Sequence, residues 1–371
     1  MWLEFFRFDL RYQLRQPLLW LSGFIFALMA FGASSSDAVV VGGAVGNVYR
    51  NAPMVIVQFL GVFTVIAMFI VTIFMAGSVL RDTELGIADM IFATPMKKRD
   101  YLFGRFAAGL VACLSIFVLV ALGIMLGTVM PWVDVARIGP FSITPYLWGF
   151  AVFVIPNLLL IGAFLVLLAA TTRSMLLVYV GVIVFFVLWS VAGVFSRDIS
   201  NEWLVVLMDP FGLRAFGRMT RYFSTAEANS ALPAFSGFIL ANRALWSGVA
   251  LALLGLTLLL FKPQRPDSGK RRWGRKTTLA SALPAAPAQR SYRPRQPSID
   301  SATAWRQCWK LLRFDAVGVF RSVPFLVMLL VGVANFIGGA SMGGQMYGTQ
   351  IYPVTRMMLE TLSGSFSFMW C

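Results

Sequence analysis

Six times between residues 18 and 261 the chain runs through an apolar stretch on the order of the ~20 residues that cross a bilayer. Most of these runs end at proline or charge. A helix that is apolar on every side cannot sit in water; lipid or the interior of a bundle must surround it. The expected spans lie at about 18–33, 54–80, 106–129, 146–170, 175–195 and 244–261. Hydrophobic residues make up 58% of the 371 positions, against about half in soluble domains, and mean hydropathy is +0.77. The predicted class is an all-α polytopic membrane protein.

The rest of the composition excludes whole groups of function. Net charge is +15, yet no folded basic domain exists to carry nucleic acid, so none is expected as a partner. Lysine and arginine instead follow the positive-inside rule and meet anionic membrane lipid. Histidine is absent, which removes histidine-based catalysis and the usual His-containing zinc sites. The three cysteines, Cys113, Cys308 and Cys371, are far apart and form no metal-ligand spacing. The stretch GKRRWGRKTT fails as a phosphate-binding loop, because Arg275 follows Gly274 and no strand precedes it. No catalytic motif, metal or cofactor is expected in this chain. The charged start runs into the first apolar stretch without a small-residue cleavage site, so that stretch reads as a retained span.

Residues 2–16 predict an interfacial helix. Glu4, Arg7, Arg11 and Arg15 fall on one face, Leu3, Phe6, Leu10 and Leu14 on another, and Pro17 turns the chain into the first span. The basic residues between spans two and three place that connection, and the amino terminus, in the cytoplasm. Gly123 and Gly127 have the spacing that lets helices approach closely, a spacing that also occurs by chance. Pro156 in the fourth span predicts a kink. Asn157 beside it, and Gln58 in the second span, either bond a neighbouring helix or line a pathway. Residues 196–242 carry DPFGLR and TRYFSTAEAN, too structured for a linker.

The stretch between spans two and three, RDTELGIADMIFATPMKKRDYLFGRF, holds much of the charge of the first two hundred residues. Residues 82–93 read as one short amphipathic helix. Its apolar positions include Leu85, Met90, Ile91 and Phe92; Asp82, Glu84 and Asp89 are acidic and lie toward the amino end, where the helix dipole favours them. Pro95 stops it, because Thr94 before a proline is biased away from helical angles.

On Glu84, Gly86, Asp89, Pro95, Arg99, Tyr101 and Gly104, this stretch resembles the cytoplasmic coupling loop of type-2 ABC transporter permeases. The resemblance implies a separate nucleotide-binding ATPase subunit that grips the 82–93 helix through Glu84, Leu85, Gly86, Asp89, Met90, Ile91, Phe92 and Pro95. It implies short re-entrant or surface helices between spans five and six. It also implies an interfacial helix preceding the first span, here with Arg7, Phe8, Asp9, Arg11 and Arg15.

After a basic, Pro/Ala/Ser-rich segment at 262–304, read as a disordered cytoplasmic linker, the pattern restarts. Arg313-Phe314-Asp315 repeats Arg7-Phe8-Asp9, and Arg321 repeats Arg15 at the same offset. Residues 1–261 therefore read as one six-span half, and 305–371 as the start of a second, ending at Cys371 partway through an eighth span; a truncated product is expected. The chain is similar to a long bacterial subgroup in which two permease halves are fused to a zinc aminopeptidase-like domain, whose His-Glu-x-x-His motif is missing here. The expected function is the permease of an ABC exporter in a bacterial inner membrane, with a second permease half in the same or another chain. The alternative is a non-transporting anchor for a peptidase-like domain. A secondary transporter fits less well, since the middles of the spans hold almost no ionisable groups.

Overall fold

The computed structural model describes residues 1–36, 47–94, 96–195, 201–261, 301–320, 329, 345–346 and 349–350. The chain divides into two compact units, 1–263 and 264–371. Most of the 262–304 segment and the spans expected after residue 324 lie outside the described residues.

The first unit is all-helical among its described residues. A surface helix, α1 (Trp2–Leu14), precedes α2 (Pro17–Ser35). Pro17 sits at the first turn, where its missing N–H costs nothing, and Trp20 Nε1 donates to the Leu14 carbonyl at 2.7 Å to close the end of α1. Then come α3 (Pro53–Ile66), α4 (Met68–Glu84), the short α5 (Ala88–Phe92) and the 31-residue α6 (Lys98–Thr128). After a 3₁₀ turn at Val135–Arg137, α7 (Thr144–Gly149) continues through a π-helical turn, Phe150–Val154, into α8 (Ile155–Thr172). α9 (Met175–Phe195), three short helices α10 (Glu202–Leu207), α11 (Leu213–Thr220) and α12 (Thr225–Ser230), and α13 (Gly237–Leu260) complete the unit.

Among the described residues four helices are long and apolar enough to cross a membrane, and the bent pair α3–α4, taken as one span, makes a fifth. α9 is apolar too, its qualifying stretch running over Met175–Ser190. The protein is thus a multi-pass α-helical membrane protein.

α6 is the central post. α2 lies along it because glycines remove the side chains that would keep the backbones apart. A Cβ on Gly123 would fall on the Ala27 carbonyl, and one on Gly127 on the Ser34 hydroxyl. Methionine fills the next layer: Met75 of α4 is fully buried against Gly109 of α6 and Gly162 of α8.

Four local expectations are corrected. The second span is not one straight helix but two, bent by 55° at Ala67. The 82–93 helix is also two: α4 runs on to Glu84, and Gly86, at φ +70°, ends it. The 31-residue α6 starts at Lys98, eight residues before the expected start of span three. The sixth span starts at Gly237, seven residues early, which brings Asn242 and Arg243 into the helix. In the fourth span the helix runs on through Pro156, where the expected kink is neither shown nor contradicted. The π turn just before it takes up the register that a proline without an N–H disturbs.

The second unit contributes α14 (Ser301–Phe320) and a two-residue antiparallel pair, β1 (Gln345–Met346) with β2 (Thr349–Gln350). Residues 301–304, expected in the linker, are helical. Arg313 and Phe314 are exposed on α14.

Candidate functional site

α4 ends at one end of the bundle in a glycine-terminated turn. The Leu85 N–H reaches the Arg81 carbonyl at 2.8 Å, and the Ile87 N–H reaches back to Asp82 at 3.0 Å across Gly86. That six-residue closure around a left-handed glycine is the Schellman geometry, which satisfies the last carbonyls of a helix. The chain leaves α4 through Leu85 and enters α5 at Ala88. Thr94 Oγ1 then bonds the Ile91 carbonyl at 2.6 Å to close α5.

The turn is exposed and apolar at its tip. Met90 is 74% exposed and Leu85 64%; Glu84 is exposed beside them. Ile91 and Phe92 face inward and are half-buried. Asp89 lies in α5, but its side chain and Pro95 fall outside the described residues.

Behind the turn sits a four-ring aromatic cluster. Tyr101 stacks on Phe261 at 5.8 Å, meets Phe92 edge-on at 5.3 Å, and meets Phe5 at 5.6 Å. The rings come from α1, α5, α6 and the residue after α13, so the turn is joined to three other parts of the unit. Aromatic pairs of this geometry contribute about 0.5–1.5 kcal/mol each beyond burial.

Beneath the rings lies a buried charge cluster. The Arg105 guanidinium donates to Asp82 and to the Ser78 carbonyl, and Tyr101 donates to the same Asp82 carboxylate at 2.9 Å. Arg81 donates to Asp9 of α1 and lies 4.1 Å over the Tyr12 ring. Asp9 Oδ2 stands 3.5 Å from Arg105, an ion-pair distance without hydrogen-bond geometry. Two acids and two guanidiniums make the cluster neutral. Burial pushes the Asp9 carboxyl above the usual carboxylate range, against the pull of Arg105 and Arg81.

This corrects the expectation for α1. Asp9 and Gln13 are its buried face, while Leu3 and Phe8 are exposed. The helix docks on the bundle through its acid, because two arginines await it there. Gly104 makes the approach possible: a Cβ there would lie 2.7 Å from both Phe5 Cβ and the Trp2 carbonyl. Arg7, Arg11 and Arg15 point outward with Phe8.

Asn157 and Gln58 are not part of this cluster. Gln58 is half-buried on α3. Asn157 is buried in a second polar network nearer the other end. Its Nδ2 donates to Thr64 Oγ1 at 2.8 Å and to the Phe211 carbonyl at 3.2 Å, and its Oδ1 accepts from Arg243 at 2.7 Å. Arg243 also donates to the Pro210 carbonyl at 3.1 Å, and to Asn242. Asn242 bonds the carbonyls of Val206 and Asp209, and Trp246 that of Leu207. Three residues of α13 thus close the carboxyl end of α10 and the turn after it. Gly212 is required there twice over, by φ +75° and by the Arg243 guanidinium, which would collide with a Cβ. The sequence offered DPFGLR as a structured piece but no signal that Arg243 would meet it. No three metal-ligating side chains cluster among the described residues. No protein-family model, curated protein or solved structure matches the chain.

Proposed function

We propose that the chain is the permease component of a type-2 ABC exporter, with the α4–α5 turn as the surface a nucleotide-binding ATPase subunit grips. The ATPase supplies the catalysis; this chain supplies the moving part. In this reading residues 1–261 form a six-span half in a bacterial inner membrane, with the amino terminus and the turn in the cytoplasm, and 305–371 begin a second half.

One observation carries the proposal. The turn presents an exposed apolar tip, Leu85 and Met90, on a base bonded to the ends of several helices through Asp82–Arg105 and the Phe5/Phe92/Tyr101/Phe261 rings. A solvated loop has no use for that combination. A soft base would absorb a partner's push, whereas a base bonded on all sides passes it to α4, α6 and α1. A partner shifts a conformational equilibrium only by its difference in affinity for the two states, so the grip must be firm. Glu84 stands beside the tip and, with Asp89 of α5, supplies charge for basic or amide donors on the ATPase.

The test is co-purification of the full chain with ABC-type ATPase subunits from the same source. Met90→Glu alters an exposed side chain and leaves the fold intact. It should weaken association by more than about tenfold, the cost of losing an anchor worth about 2 kcal/mol. Glu84→Lys should weaken it as well. Undiminished association in both variants rejects the docking reading.

A further inference from the structure

The 55° break between α3 and α4 is not made by proline, glycine or a π turn. Sharp bends in helices come from proline, glycine or serine pairs, π turns, or a side chain that disturbs the ladder. The residues at the break, Val65-Ile66-Ala67-Met68-Phe69, are helix-competent and hold neither proline nor glycine. Ala67 keeps helical angles, φ −66° and ψ −13°, and its N–H still reaches the Phe63 carbonyl at 2.8 Å. Nothing steric prevents this segment from running straight.

What bends it is partly local and partly tertiary. Two buried threonines bracket the break and bond back onto their own helices. Thr64 donates to the Gly61 carbonyl at 2.6 Å, and Thr72 to that of Met68 at 2.8 Å. Such back-bonding loosens and bends a helix. Thr64 then accepts from Asn157, and Asn157 is held in turn by Arg243 and the Phe211 carbonyl. Gly61, one turn earlier, packs on Leu213 and Phe153, the latter within the π turn. α3 is thereby fastened to α8, α11 and α13. α4 shares α8 with α3, Met75 lying against Gly162, but its far end is fastened to α1 and α6 through Asp9, Arg81, Asp82 and Arg105. Its two ends thus belong to different assemblies, with the break between them.

We infer that the α3–α4 break is a latched hinge: the Asn157–Thr64 hydrogen bond holds it bent, and release of that bond lets α4 swing about Ala67. α4 has 17 residues, an arm of about 25 Å, so even partial straightening carries its far end through many ångström. The inference concerns the bend itself and does not depend on which partner pushes the arm.

Spin labels at Leu85→Cys and Phe141→Cys, both exposed sites, report the distance from the arm's tip to the opposite end by pulsed electron resonance. The full chain is used in nanodiscs, with Cys308→Ser and Cys371→Ser to keep those positions unlabelled. The parent protein should give one dominant distance. Thr64→Val removes the latch bond with little change in volume, and should add a second population displaced by more than about 5 Å. Thr64→Ser keeps the hydroxyl and should match the parent. Asn157→Leu should give the larger second population; if it does not fold, Thr64→Val decides alone. A folded Thr64→Val protein with the parent's distance distribution overturns the hinge.

Discussion

The two buried polar networks of this unit solve one problem in opposite ways. At the α1 end, polarity is ionic: Asp9, Asp82, Arg81 and Arg105 share their charges, and two buried atoms, Asp9 Oδ2 and Arg105 Nε, make no hydrogen bond. Around Arg243 it is mostly amide and carbonyl. Asp209 stays apart, its carboxylate satisfied by Trp189 Nε1 at 2.9 Å and by the N–H groups of Phe211 and Arg214. Coulomb attraction is long-ranged and weakly directional, so an ionic joint stays engaged through small shifts and still passes load. Hydrogen bonds fade steeply with distance and angle, so a carbonyl cap fixes position. The first network suits a joint that transmits motion and the second a mount that stays put.

The sharpest way to break that comparison is to remove one member of each. Arg105→Met leaves Asp82 and Asp9 buried with Arg81 alone. Taking one partner from a buried ion pair costs about 3–5 kcal/mol, and this should be the largest single loss in the unit. Heating in detergent while following helicity measures it. Asp82→Asn added to Arg105→Met removes the stranded charge, keeps an acceptor for the Tyr101 hydroxyl, and should recover at least half of the lost stability. A double variant no better than the single one would mean that shape, not charge, governs this end.

Arg243→Met tests the other network. It strands the Asn157 and Asn242 side-chain oxygens and the Pro210 carbonyl, but no unsatisfied carboxylate, because Asp209 has three N–H donors of its own. A stranded neutral acceptor costs at most about 1–3 kcal/mol, and a water entering the space the guanidinium leaves can satisfy all three at once, so the same heating experiment should rank this variant below Arg105→Met. The reverse order would show that Arg243 balances Asp209 through space and that both ends are ionic.

These pairings also mark where the sequence stops being readable. Spans, proline starts and the glycine seam of α2 on α6 follow from local pattern, since apolar runs and small-residue spacing are written in neighbouring residues. Gly86 stood in the recognisable stretch, and its left-handed turn is local as well. Asp9 and Arg81, in contrast, are 72 positions apart, and Asn157 and Arg243 are 86 apart. On a helical wheel Asp9 lies among arginines, as a residue facing headgroups would, and only the arrival of α4 and α6 gives it a buried role. The bend at Ala67 left little trace, because Thr64 and Thr72 mark it only weakly and its tertiary holds, Asn157 and the π turn, lie far along the chain.

An exposed carboxylate at the far end supplies the lower limit of the comparison. Glu227 closes a capping box at the start of α12: it accepts from the Ser224 N–H at 2.7 Å and from the Ser224 hydroxyl at 2.8 Å, while the Glu227 N–H returns to that hydroxyl. Those donors favour the charged form and hold Glu227 below the usual glutamate value of 4.5. A depressed carboxyl contributes above the unfolded value and loses its contribution as pH falls through the folded one. Hydrogen exchange at the first amides of α12 should therefore stay slow down to pH 4.5 and quicken only below it, once intrinsic exchange rates are divided out. Glu227→Gln should abolish that dependence while leaving the Tyr49–Asn229 bond next to it intact. Protection that already decays above 4.5 would mean that the charge at this cap is not held. The effect should be local to α12 and the smallest of the set, because water solvates this charge whether or not the cap is closed, whereas Asp9 and Asp82 are buried and rely on their arginines and Tyr101.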